Sequence, residues 1–129
     1  MQITYFNESN YGELCGWWDK HQHNIIPFSS LPLGVVVSND TKKLAMAFVY
    51  TMDGCDVAQL AWTTSNPENS PRESYQSVDL AVDALLLVAR EKLNKKMIVC
   101  FSSSKGLTKI LNKKNITQNR EHILNMGSY

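Results

Sequence analysis

The stretch VAQLAWTTSNPENSPRESYQSVDLAVDALLLVAREKLNKKMIVCF, Val57 to Phe101, decides the fold, because the period of its apolar residues changes twice along its length. Val57, Leu60 and Trp62 give apolar bulk to a strand that runs over Cys55–Thr64. Thr63 to Arg72 is polar and punctuated by Pro67 and Pro71, which predicts a loop. From Ser74 the apolar positions Val78, Ala81, Val82, Leu85, Leu86, Ala89 and Leu93 make one broad stripe at helical spacing, ending near Asn94. Met97 to Phe101 is then a continuous apolar run between lysines and serines, the pattern of a buried strand. A strand that ends in a polar loop and feeds a helix N-terminus turns backbone N–H groups and the positive end of a helix dipole toward a cleft. Such a cleft suits a phosphate-bearing ligand.

Downstream, Ser102–Ser104 precede a short helix over Lys105–Lys114, with Leu107, Ile110 and Leu111 inward. The tail from Ile116 to Tyr129 carries Ile123, Leu124 and Met126, and its period fits a closing strand or a turn of helix equally. Upstream, Met1–Phe6 alternates as a short strand, and Tyr11–His21 reads as a helix capped by Ser9 or Asn10. Trp17 and Trp18 are adjacent, so they point to different faces of that helix, and at most one is expected fully in the core. The Leu31-Pro32-Leu33-Gly34 turn leads into a strand at Val35–Ser38, and the turn at Asn39–Lys42 leads into another at Lys43–Met52. Asp53-Gly54 makes the next turn, completing a three-strand meander.

The totals limit the function. With 129 residues, 43% of them hydrophobic, the chain suits one domain spanning 1–129. Thirteen basic residues against twelve acidic ones, a net charge of +1, give no general attraction to nucleic acid or membranes. Lys105, Lys109 and Lys113 recur every four residues, which is read as a solvated helix face. Cys15, Cys55 and Cys100 are odd in number and far apart, which argues against a disulfide framework or a Cys-x-x-Cys metal site and fits a reducing cytoplasm. No leader pattern opens the chain and no apolar run reaches a membrane span. His21 and His23 beside Asp19, and His122 beside Glu121, are candidate bases, though each also reads as plain exposed loop, and no third metal ligand is apparent.

In order, strand, helix, meander, long helix, strand, short helix and tail resemble the GNAT N-acetyltransferase superfamily. The likeness is sharper to the small GNAT-like proteins encoded by bacteriophages, through Trp17-Trp18, Leu31-Pro32 and Trp62-Thr63-Thr64-Ser65-Asn66-Pro67. The resemblance implies an α+β fold, with a central mixed, mostly antiparallel twisted sheet and helices on both faces. It implies acetyl-CoA as co-substrate, its pantetheine arm lying between splayed parallel strands near Trp62, Thr63 and Thr64 and beside Ser103. It implies a diphosphate turn at Arg72-Glu73-Ser74-Tyr75-Gln76-Ser77, where Arg72, Ser74 and Ser77 match and Tyr75 replaces a glycine. The family's acidic tyrosine would fall at Leu111 and its Gly-Phe pair at Asn115-Ile116, so neither is kept. Two functions follow: direct acetyl transfer to a primary amine, or a GNAT-shaped binding module without turnover, acting on a partner protein. A homodimer through an open sheet edge is a third reading.

Overall fold

The computed structural model describes residues 1–101, 105–114, 116–119 and 124–128. Seven strands form one sheet in the order β1-β2-β3-β4-β5-β7-β6, with β1 at Gln2–Tyr5, β2 at Leu33–Ser38, β3 at Lys43–Thr51, β4 at Val57–Ser65, β5 at Met97–Phe101, β6 at Thr117–Asn119 and β7 at Leu124–Ser128. All neighbours are antiparallel except β4 and β5, which run parallel. That parallel pair requires a crossover, and α2 at Pro71–Glu91 provides it. The ambiguous tail resolves into two strands, because Leu124–Ser128 pairs along the free edge of β5.

Strand β3 reads as a continuous apolar run because both sheet faces are covered. Ala45, Ala47 and Val49 join Ala81, Val82, Leu85 and Ala89 of α2 on one side. Helix α3, Lys105–Lys113, adds Leu111 to that same core. Met46 and Phe48 pack on the other side against Leu14, Trp17 and Trp18 of α1, Tyr11–Lys20. Both tryptophans are buried, at 4% and 2% exposure, which corrects the expectation that one of them would be left partly open. Phe6, Ile26 and Leu31 pack against the same cluster and help to seal it.

One helix start and one helix cap also differ from the sequence expectation. Helix α2 begins at Pro71, not Ser74, because Ser70 and Glu73 form a reciprocal capping box and Pro71 occupies the first helical position. Near α1, Asn7 caps a single 3-10 turn at Glu8–Asn10 that runs straight into the helix, while Asn10 makes no side-chain cap.

Candidate functional site

Strands β4 and β5 pair from Val57 with Met97 through Leu60 with Cys100. Ala61 and Phe101 are both still in strand, yet they do not continue the pairing. Phe101 stays with β7, opposite Leu124, while β4 stays with β3 through Ser65 opposite Ala45. The parallel pair therefore forks at its C-terminal end.

A bulge in β4 aims this fork. Ala61 lies opposite Phe48 and Thr64 opposite Met46, so Trp62 and Thr63 together face the single residue Ala47. Trp62 takes a left-handed φ of 54°, a conformation that costs a side-chain-bearing residue roughly 1–2 kcal/mol. Hydrogen bonds hold it there. Trp62 Nε1–H donates to Tyr50 Oη at 2.9 Å, and Tyr50 Oη–H donates to the Ser30 carbonyl at 2.8 Å. Thr64 Oγ1–H donates to the Trp62 carbonyl at 2.8 Å and accepts Trp18 Nε1–H at 3.0 Å. One residue on, His21 Nε2–H donates to the Ser65 carbonyl at 2.8 Å, a bond that fixes the proton on that nitrogen because a carbonyl only accepts.

On the opposite face the fork opens into a cleft of about 310 Å³, lined by Thr63 and Ser65 of β4, Ser74, Tyr75 and Val78 of α2, and Leu107 and Ile110 of α3 among others. Its mouth is cationic. The ammonium groups of Lys109 and Lys113 stand 6.0 Å and 5.4 Å from the centre of the Tyr75 ring. Lys113 is also held above its usual pKa, chiefly by its hydrogen bond to Asp79. Cys100, at the apex of the fork, has its thiol pushed up to about 11 by burial. At neutral pH it is a thiol and a poor nucleophile.

The loop between β4 and α2 spends its backbone donors on itself. The Asn66 N–H donates to the Leu44 carbonyl, that of Glu68 to Asn66 Oδ1, and that of Asn69 to the Asn66 carbonyl. The Ser70 N–H donates to Glu73 Oε1, the Glu73 N–H to Ser70 Oγ, and the Ser74 N–H to the Ser70 carbonyl. Pro67 and Pro71 have no N–H. Among these described residues only the Arg72 amide is left without a partner. The Glu73 carboxylate sits at the same helix end, its pKa lowered first by the Ser70 backbone bond and then by Lys42, whose Nζ is 3.3 Å away.

Of the residues singled out in the sequence, Thr63, Ser74 and Tyr75 come together along the cleft. Trp62 and Thr64 face the α1 side instead, the first exposed at 42% and the second buried. Arg72 is exposed within the first turn of α2 rather than in a turn before it. Ser77 is fully buried and donates its hydroxyl to the Glu73 carbonyl at 2.6 Å, so its polar atom serves the helix. Ser103 and His122 lie outside the described residues. The His21 and His23 rings lie 5.9 Å apart, tilted at 45°, and neither lines the cleft. Leu111, where the sequence resemblance would place a tyrosine, is fully buried in the core. Sequence reasoning missed Val78, Leu107 and Ile110 as cleft walls, because their apolar spacing reads as core. No group of three or more potential metal ligands occurs among the described residues.

No family model and no curated protein matches the chain. Solved structures do match in fold. Rv2747 from Mycobacterium tuberculosis, in complex with CoA and NLQ, superposes with a TM-score of 0.74 at 13% identity, over 93% of this chain and 74% of that one. The Campylobacter jejuni N-acetyltransferase PseH, in complex with acetyl coenzyme A, gives 0.68 at 11% identity over 98% and 99%. N-acetylglutamate synthase from Neisseria gonorrhoeae, complexed with coenzyme A and L-arginine, gives 0.76 at 10% identity, with 98% of this chain on 32% of that larger one. The shared property is the acetyltransferase fold, a mixed α+β sheet with helices on both faces.

Proposed function

We propose that this chain is an N-acetyltransferase that receives the acetyl thioester end of a pantetheine arm, as borne by acetyl-CoA, in the fork between β4 and β5 and passes the acetyl group directly to a primary amine. The fork is the observation that carries this reading. Beyond Leu60 and Cys100 the pairing stops, and among the described residues nothing pairs with the β5 side of Ala61–Ser65, which runs over an apolar wall of Val78, Leu107 and Ile110. An extended arm with two amide groups matches such an edge by adding backbone-type hydrogen bonds at strand spacing. The diphosphate of CoA does not fit the β4–α2 loop, whose donors are already committed.

In the reaction the amine nitrogen attacks the thioester carbonyl carbon, the new N–C bond forms, and the C–S bond breaks. The thiolate leaves with the bonding pair and is protonated, while the nitrogen loses its proton, giving an amide and a thiol. The chain's part is alignment of amine and thioester, and a backbone N–H of the bulged segment Trp62–Thr64 polarises the carbonyl oxygen. Burial of the Cys100 thiol supports direct attack over an acyl-cysteine route. The three cysteines, none of them in a disulfide, support a reducing cytoplasm as the setting, and the Trp17-Trp18, Leu31-Pro32 and Asn66-Pro67 motifs support kinship with phage-encoded members.

Leu111 favours a second reading, a binding module that keeps the fork without turnover, since no hydroxyl stands where the family's proton donor is expected. Free-thiol release from acetyl-CoA and from acetyl-pantetheine, measured against a panel of primary amines, separates the two. Amine-dependent release supports the transferase. Thermal stabilisation by either thioester with no release from both leaves the binding module.

A further inference from the structure

We infer that the donor's arm is delivered to the fork by an acidic carrier protein, bearing pantetheine on a single phosphodiester, rather than by a free nucleotide carrier. The inference rests on the transferase reading above. Its observation is the juxtaposition of a cleft that fits a pantetheine arm with a neighbouring loop that has nothing left for a nucleoside diphosphate. Between Asn66 and Ser74, the two prolines lack an N–H and six amides are bonded within the fold, leaving Arg72 alone. A diphosphate approaching that helix end would also meet the Glu73 carboxylate, which its cap keeps ionised. Anion binding at a helix N-terminus depends on unsatisfied N–H groups and a positive field, and here loop and cap leave one such N–H, that of Arg72, while the Glu73 carboxylate offsets the field.

The surface around the cleft mouth has the opposite character. Lys105 and Lys109 are exposed on α3, beside the wall residues Gly106 and Ile110, and Arg72 is exposed on the first turn of α2. None of the three has a carboxylate within ion-pair distance among the described residues. The whole chain is close to neutral at +1, so this cationic rim is local. An acidic protein surface carrying the arm complements it, and one phosphodiester needs far fewer donors than a 3′-phosphorylated nucleoside diphosphate.

Initial rates with acetyl-CoA, acetyl-pantetheine and an acetylated acidic acyl carrier protein, each with one accepted amine, test this. KM for acetyl-CoA and acetyl-pantetheine is expected to agree within about threefold, since the nucleotide adds no binding energy. KM for the carrier protein is expected to fall at least about tenfold below both at low salt, and to lose that advantage in 0.5 M salt and in Lys105→Glu/Lys109→Glu. A far-UV circular dichroism melt of that double variant that overlays the wild-type curve shows it folded, and the advantage is read as the ratio of the two KM values within each protein. An acetyl-CoA KM more than about tenfold below that of acetyl-pantetheine overturns the inference, and so does a carrier protein no better than acetyl-pantetheine. Failure of all three donors overturns the transferase reading itself.

Discussion

Thr64 accepts the indole N–H of Trp18 and gives its own hydroxyl proton to the carbonyl of Trp62, so one side chain ties helix α1 to the bulge in β4. Both partners are buried, Trp18 at 2% and Thr64 at 5% exposure, and water cannot replace either bond. The left-handed φ at Trp62 is therefore maintained from across the sheet.

Thr64→Val keeps the shape of the side chain and removes both bonds, leaving Trp18 Nε1–H buried without an acceptor. Urea denaturation should register a loss of about 1–3 kcal/mol, with Thr64→Ser much closer to wild type. Acetyl transfer should fall in the valine variant by more than its folded fraction accounts for, because the bulge relaxes. Equal activity per folded molecule would remove the bulge from the mechanism.

Gly34 stands directly across from Phe48 in the β2–β3 register. A Cβ there would overlap the Phe48 ring and come within 3.0 Å of the Ala47 carbonyl oxygen. Phe48 is fully buried and has no room to retreat. Gly34→Ala should cost about 1–3 kcal/mol in chemical denaturation.

Cys100→Ala removes the one thiol at the fork apex. If the amine attacks directly, kcat should survive, with only a packing loss of about 1 kcal/mol in stability. Mass spectrometry of wild type incubated with acetyl-CoA alone should show no acetylated protein. A covalent adduct that disappears in Cys100→Ala would replace direct attack with an acyl-enzyme.

Asp79 receives hydrogen bonds from Lys114 and Lys113, and Lys114 also lies 2.8 Å from Asp83. Burial pushes the Asp79 pKa up, but the two lysine bonds outweigh it and hold it below the usual carboxylate range. A lowered carboxylate pKa stabilises the fold above the unfolded value, near pH 4, and that contribution is lost as pH falls through the folded value. Wild type should exceed Asp79→Asn by about 1 kcal/mol at pH 7, and the gap should close as the pH drops below about 4. A gap that persists unchanged at low pH would show that the ion cluster is not its source.

Helix α2 was legible because seven apolar positions share one stripe, and β5 because Met97–Phe101 is apolar without interruption. The start of α2 was misplaced although its signal, Ser70 with Glu73 three residues on, is written in the sequence; the two prolines drew the reading toward loop. The fork was expected only by resemblance, since nothing local in Ala61 or Phe101 says that their strands separate. The closed state of the β4–α2 loop was not legible either. It depends on Asn66 reaching the Leu44 carbonyl across the sheet and on the Ser70–Glu73 exchange, and these are facts of geometry. Tyr75 was visible as a substitution, but its place between two lysines of α3 needs both helices in position.

Of the chain's three indoles, two are sealed beneath α1 and the third, Trp62, stands in solvent at the fork. The protein thus carries an intrinsic optical probe at the place where chemistry is proposed. Acrylamide will quench the exposed indole and spare the sealed pair, so quenching reads out the state of the bulge from the face opposite the cleft, without dye or label.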